Sequence, residues 1–393
     1  MSSQTWTFER ADLTLAAQLA SLSAVKDGAS IFSHMLASPD ADGNAVVNWI
    51  STDQRTFVRT PVRALTSPEN PSKFTIEVDS FLKWVSQMTA DSVELTVLPD
   101  SVQAKCGKAK SFFRTMKPEN FPIPTRDVTK QIAVVNAYGF SQLLDTVRHG
   151  LPDGGTGVEA EMFKIVRFKQ MSAVATDNHK CVYMHTTSLK MDGALDDPNL
   201  DLKVGGNEAA PLMQYLKKVG QASVKIQRDK SRIFVEAADG SAFGFTEPNA
   251  DHVQDPRQYI SFSTENAAYL LNVEIKEIAH ALKTISASAS ATSKDVTCNL
   301  DRAQEILRLS REGTSSRSLN EDYAPCKIDR AQDDLAFKLN VDTIARITSV
   351  FSGTITLVLS PNESRGSILV TVMQSDKDDS MRVLLAQGFL VKS

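Results

Sequence analysis

Residues 74–106 read FTIEVDSFLKWVSQMTADSVELTVLPDSVQAKC, and three patterns follow one another in that stretch. Phe74–Val78 is a short, β-branched run of the kind that forms strands. After Asp79, a residue type suited to an N-cap, Phe81, Leu82, Val85 and Met88 recur at helical spacing and predict a helix over 79–89. Ser92–Val97 and Ser101–Cys106 then read as a strand pair with Pro99 and Asp100 between them.

That order returns twice. Leu212, Leu216 and Val219 make a stripe from about 208, with Pro211 placed in its first turn, and Ala222–Gln227 and Arg232–Ala237 follow. Val341, Ile344, Ile347 and Phe351 make another from about 340, followed by Gly353–Leu359 and Ser367–Val372. A second family of stripes begins near 11, 137 and 272: Leu15, Leu19 and Leu22; Phe140, Leu143, Leu144 and Val147; Ile275, Ile278, Leu282 and Ile285. Members of each family lie about 126–135 residues apart, a period far too long for a solenoid. The expectation is an α+β protein of three tandem repeated domains, 1–126, 127–258 and 259–393, each an antiparallel sheet with two helices.

Composition narrows the function. The 393 residues are 42% hydrophobic and 23% charged, ordinary for a protein with sizeable cores. Lys and Arg number 43 against 47 Asp and Glu, so a protein coated in positive charge is excluded, and any nucleic-acid contact must be confined to one face. Cys106, Cys181, Cys298 and Cys326 are far apart, which argues against a disulfide scaffold or a zinc ribbon. With neither an export signal nor a long apolar run, the expected place is the cytoplasm, with no membrane contact.

If the stripes face cores, the opposite helix faces carry Lys26, Lys83, Arg148, Lys217, Lys218, Lys276, Lys283 and Arg346. Cations on one face of otherwise neutral or acidic domains suit a sequence-independent contact with duplex DNA phosphates. No base-reading motif is present. Catalysis finds no support either: there is no G-x-S-x-G, no P-loop and no G-x-G-x-x-G after a strand. His179, Cys181 and His185 would share a strand face, but they supply three metal ligands at an unrecognised spacing. A turn entering a strand accounts for that segment as well. Neither a cofactor nor a metal is expected, and the protein reads as non-catalytic.

Two segments add a family. Residues 174–180, VATDNHK, are similar to the ATDGHR motif of the bacterial DNA polymerase III β subunits, the replicative sliding clamps. Residues 107–122, GKAKSFFRTMKPENFP, resemble the end of that family's first domain, where a basic Gly-led strand runs into (D/N)-F-P. The resemblance implies a head-to-tail homodimeric ring, sheets outside and helices inside around duplex DNA. Such a ring is a processivity factor that holds the DNA polymerase and clamp loader through short peptide motifs. It further implies a peptide groove lined by Thr176, Asn178, His179, Lys180 and Cys181, with Val383, Leu384, Leu385 and Ala386 as its other wall. Phe113 matches an interface position; Leu282 and Ile285 are candidates to join it, with packing of their own helix against the core as the other role open to them. Asn178, Lys180 and Cys181 depart from the family's Gly, Arg and Leu. The tail Gly388–Ser393 runs past the usual ending, so Phe389, Leu390 and Val391 are placed to fill the groove in cis. The alternative function is an adaptor of the same fold that binds such peptides without encircling DNA.

Overall fold

The computed structural model describes residues 4–26, 30–40, 45–123, 130–151, 165–169, 172–176, 181–186, 201–230, 232–249, 263–265, 267–287, 289–290, 292, 294–314, 318–375 and 381–391. They fall into two compact units. The first is built mainly from 1–142 and 207–248, the second from 143–188, 201–206 and 249–393.

Strands come in chain order as three sets. The first set is β1 (Gln4–Glu9), β2 (His34–Pro39), β3 (Val46–Thr52), β4 (Thr56–Thr66), β5 (Phe74–Glu77), β6 (Ser92–Val97), β7 (Ser101–Cys106) and β8 (Ala109–Arg114). The middle set is β9 (Lys130–Asn136), β10 (Ile165–Lys169), β11 (Ser172–Thr176), β12 (Cys181–Thr186), β13 (Asp201–Gly205), β14 (Ser223–Asp229), β15 (Arg232–Ala237) and β16 (Ala242–Thr246). The last is β17 (Tyr269–Glu274), β18 (Asp295–Asp301), β19 (Ile306–Glu312), β20 (Leu319–Arg330), β21 (Leu335–Asn340), β22 (Thr354–Asn362), β23 (Ser367–Ser375) and β24 (Met381–Leu390). The helices are α1 (Arg10–Ala20), α2 (Val78–Val85), α3 (Ala137–Val147), α4 (Gly206–Val219), α5 (Ile275–Ser286) and α6 (Val341–Val350).

The repeat is plainest in the sheet order. In the first unit the neighbours run β8-β7-β6-β1-β4-β3-β2-β5, and in the second β24-β23-β22-β17-β20-β19-β18-β21. Counted within each set, both orders are eighth, seventh, sixth, first, fourth, third, second, fifth. The middle set contributes β16-β15-β14-β9 to the first unit and β12-β11-β10-β13 to the second, two halves of the same order. Every pairing is antiparallel, and turn residues make the short connections. Gly107, between β7 and β8, has φ of 57°, a left-handed conformation that side chains resist.

The first set packs around aromatic rings. Trp49 stands edge-on to Phe8 and Phe74, both at 5.8 Å between centroids, and Trp6 stacks on Phe8. The last set is closed instead by branched aliphatic residues, among them Ile278, Leu282, Ile285, Ile344, Ile347 and Leu357, with Phe337 beside them. In the first unit α4 is tied down by Tyr215, whose buried hydroxyl donates to the Ser241 carbonyl at 2.9 Å. Burial pushes that phenol up to about 12.

Three local expectations change. Asp79 does not cap α2; the helix starts at Val78, the preceding residue is Glu77, and no side chain caps it. Leu15 is exposed, because α1 turns Leu13, Ala16, Ala17, Leu19 and Ala20 inward, and the small alanines let it lie close on β4. Pro211 sits in the second turn of α4, which begins at Gly206. The missing N–H there removes the bond that would have reached Asn207.

Candidate nucleic-acid and partner surfaces

The helices and the turns just after them present the predicted cations, some of them already paired. On α2, burial of Val78, Phe81 and Val85 leaves Asp79, Ser80 and Lys83 in solvent, and the Lys83 ammonium donates to Asp79 Oδ2 at 2.7 Å. That bond raises the lysine's pKa. Just past α3, Arg148 Nε donates to Asp145 Oδ1 at 2.8 Å. Lys217 and Lys218 occupy the last turn of α4, where the helix dipole favours cations, and Lys218 reaches Gln18 Oε1 of α1 at 2.9 Å. On α5, Lys276, His280 and Lys283 form an exposed row opposite Ile275, Ile278 and Leu282, with Glu277 4.0 Å from Lys276. Arg346 is half-buried on α6, and Lys26 is exposed after α1.

The expected groove lies on β11, β12 and β24. Thr176 ends β11, and Cys181 opens β12 directly opposite Ala386. Asn178, His179 and Lys180 lie outside the described residues, as does any metal reading that includes His179. Among the described residues no group of three or more His, Cys, Asp or Glu could hold a metal ion. Because strand side chains alternate, the four residues named on β24 divide between two faces. Val383 and Leu385 pack with Val174 in a small apolar cluster, rimmed by the half-buried Leu369, Met373 and Met381. Leu384 and Ala386 point to the opposite face, level with Val372 and Val370. They belong to the sheet's other side, not to that cluster. Met373 also lines a cavity of about 590 Å³ that it shares with Leu270, Val358, Thr356 and Arg330.

Among the described residues, the tail does not cover the cluster of Val174, Val383 and Leu385. After Gln387, β24 leaves β12 and pairs with β21, Phe389 opposite Lys338 and Leu390 opposite Phe337. Gly388 permits the crossing, since a Cβ there would stand 2.6 Å from the Lys338 carbonyl oxygen. Phe389 remains 63% exposed.

The two sheets also share a joining rule. In the first unit β16, the eighth strand of the middle set, pairs with β4, the fourth of the set before it. In the second unit β24, the eighth of the last set, pairs with β12, the fourth of the middle set. The eighth strand of the first set, β8, pairs with β7 alone among the described strands. The fourth strand of the last set, β20, pairs over its first half on one side only, with β19. Both edges carry exposed rings. On β8, Phe112 is 59% exposed, with Lys110 Nζ 5.3 Å from its centroid. On β20, Leu319 and Tyr323 are exposed beside Glu321 and Asp322.

The residues expected at an interface are buried within the chain. Phe113 is buried edge-on to Phe81 and Trp84 at 5.4 and 5.7 Å, and Leu282 and Ile285 lie in the core under α5. Phe112, Leu319 and Tyr323 are the apolar groups these edges offer. Of the two adjacent phenylalanines, strand alternation turns only one inward, and residue type does not say which.

No family model matches this chain, and no curated protein does. Solved structures do. A DNA polymerase III β subunit from Thermotoga maritima superposes with a TM-score of 0.82 at 14% identity, covering 99% of this chain and all of that one. The β subunit from Pseudomonas aeruginosa gives 0.80 at 15% identity over 97% of this chain and 99% of its own. A Caulobacter crescentus β sliding clamp gives 0.80 at 15% identity over 98% of this chain and 99% of its own. The matches include a Pseudomonas aeruginosa sliding clamp bound to griselimycin. The chain has the fold of these sliding clamps from end to end. No helix among the described residues is long and apolar enough to cross a membrane.

Proposed function

We propose that this chain, built on the fold of the bacterial sliding clamps, is a diverged member of that family and serves as a processivity factor in DNA replication. Two copies close head to tail into a ring around duplex DNA, and the ring tethers a DNA polymerase and other partners without catalysing anything itself. Its three domains divide near 126 and 258, and its place is the cytoplasm.

The observation that carries this reading is the joining rule. Each internal joint sets an eighth strand on a fourth, and the edges left over are one eighth, β8, and one fourth, β20. An open edge presents unpaired N–H and C=O groups that a second chain can complete. Applying the rule across two copies uses both edges of both chains and closes a symmetric assembly. The chemistry is complementary: Lys108, Lys110 and Arg114 surround Phe112 on one edge, and Glu321 and Asp322 flank Tyr323 on the other.

The exposed helix cations supply a weak, sequence-independent hold on phosphates, suited to sliding. Val174, Val383 and Leu385, with Leu369, Met373 and Met381 around them, offer the apolar seat for a short partner peptide. A topological test decides. The protein loaded on nicked circular DNA is expected to stay bound at salt that strips ordinary DNA-binding proteins, and to slide off once the circle is cut. Equal retention on both forms would reject encirclement. The ion pairs on Lys83 and Arg148 favour a second reading, an open adaptor that uses the peptide seat alone. That reading predicts no retention on either form.

A further inference from the structure

We infer that Asp79 and Asp145 are built-in counter-ions that set how tightly the helices hold duplex DNA. The inference rests on the DNA-encircling reading and goes further, because it assigns acidic residues a role in that contact.

Asp79 and Lys83 stand one turn apart on the solvent face of α2, and their 2.7 Å pair is largely exposed. Asp145 and Arg148 repeat the arrangement at 2.8 Å in another domain. Lys283 on α5 and Lys26 after α1 have no such partner among the described residues. The cations therefore form two classes.

A lone lysine that meets a phosphate releases a counterion condensed on the DNA and adds to the salt dependence of binding. A lysine already holding a carboxylate must give it up first. The freed carboxylate then faces the polyanion, so the pair contributes no net positive charge. Exposed pairs of this kind are weak, so the exchange is easy in both directions. The contact stays loose although its helices are rich in cations.

The test is the slope of log K against log salt for the full-length protein on a short duplex, read by fluorescence anisotropy. Asp79→Asn and Asp145→Asn should each steepen the slope by about 0.9, and the two together by about 1.8. Asp79→Asn combined with Lys83→Ala should return the slope to the wild-type value, because the released cation is gone. Glu94→Gln, which frees Lys105 on β7, should leave it unchanged. An unchanged slope in the Asp variants overturns the inference. So does an equal steepening in Glu94→Gln, which would make the effect one of net charge. Failure of every variant to associate at low salt would overturn the DNA reading itself, whereas association with an unchanged slope sinks only the inference.

Discussion

The first and last strand sets share one order of neighbours and one placement of helices, but not the residues that fill their interiors. The first is organised around Trp6, Phe8, Trp49, Phe74 and Phe81, the last around isoleucine, leucine and valine. The first leaves its eighth strand unpaired with its fifth, whereas in the last β24 reaches β21 and closes the circuit. A six-residue β8 against a ten-residue β24 accounts for the difference. The pattern of inward positions specifies this fold, and residue identity fills it. The two free edges differ in what they expose, basic and aromatic on β8, acidic and aromatic on β20.

The largest effect is expected in the aromatic core. Trp49→Ala should lower the stability of the first unit by about 3–5 kcal/mol, seen as a shift of the denaturant midpoint. Leu357→Ala in the aliphatic core should cost about 2–5 kcal/mol, at the lower end if its neighbours relax into the space. Equal costs would blur the contrast between the two interiors.

Next comes closure of the last set. Gly388→Val would drive a side chain into the Lys338 carbonyl and should cost roughly 1–3 kcal/mol. Hydrogen exchange should quicken at the Leu390 and Val391 amides, which bond the Gly366 and Ala336 carbonyls. Removing the chain after Gln387 should leave affinity for groove peptides unchanged; a rise would restore the tail as an occupant of that site.

Smaller again is the effect at the edges. Phe112→Ala and Tyr323→Ala should each weaken self-association roughly tenfold in sedimentation experiments, about 1–2 kcal/mol, with the fold intact. Phe113→Ala should do the reverse, lowering stability first.

The smallest difference concerns protons. His34 is buried in the first set, and burial holds its pKa below the usual value, whereas the one histidine of the last set, His280, is exposed. A depressed base binds more protons unfolded than folded. The stability this represents is present above the unfolded value and is lost as pH falls from about 6.5 through the folded pKa. His34→Gln should flatten that acid limb.

Much of the repeat was legible in the sequence because helical stripes and strand pairs are local. The α5 stripe of Ile275, Ile278, Leu282 and Ile285 is buried as its spacing implies. The sequence is silent where parity or size decides. Leu15 is the larger apolar residue, yet the alanines make the α1 contact, and nothing local says which of Phe112 and Phe113 turns inward. Val383 to Ala386 were read as one wall although a strand divides them. The Asp79–Lys83 pair is legible in the sequence as an i, i+4 spacing. The joints of β16 on β4 and β24 on β12 had no local signal at all, since each links strands far apart in the chain.

The central claim is that β8 of one chain completes β20 of another. Native mass by light scattering at low micromolar concentration tests it most directly. Twice the chain mass is expected for the wild type, and the chain mass for Phe112→Glu with Tyr323→Glu. A wild-type protein that stays at the chain mass would contradict it.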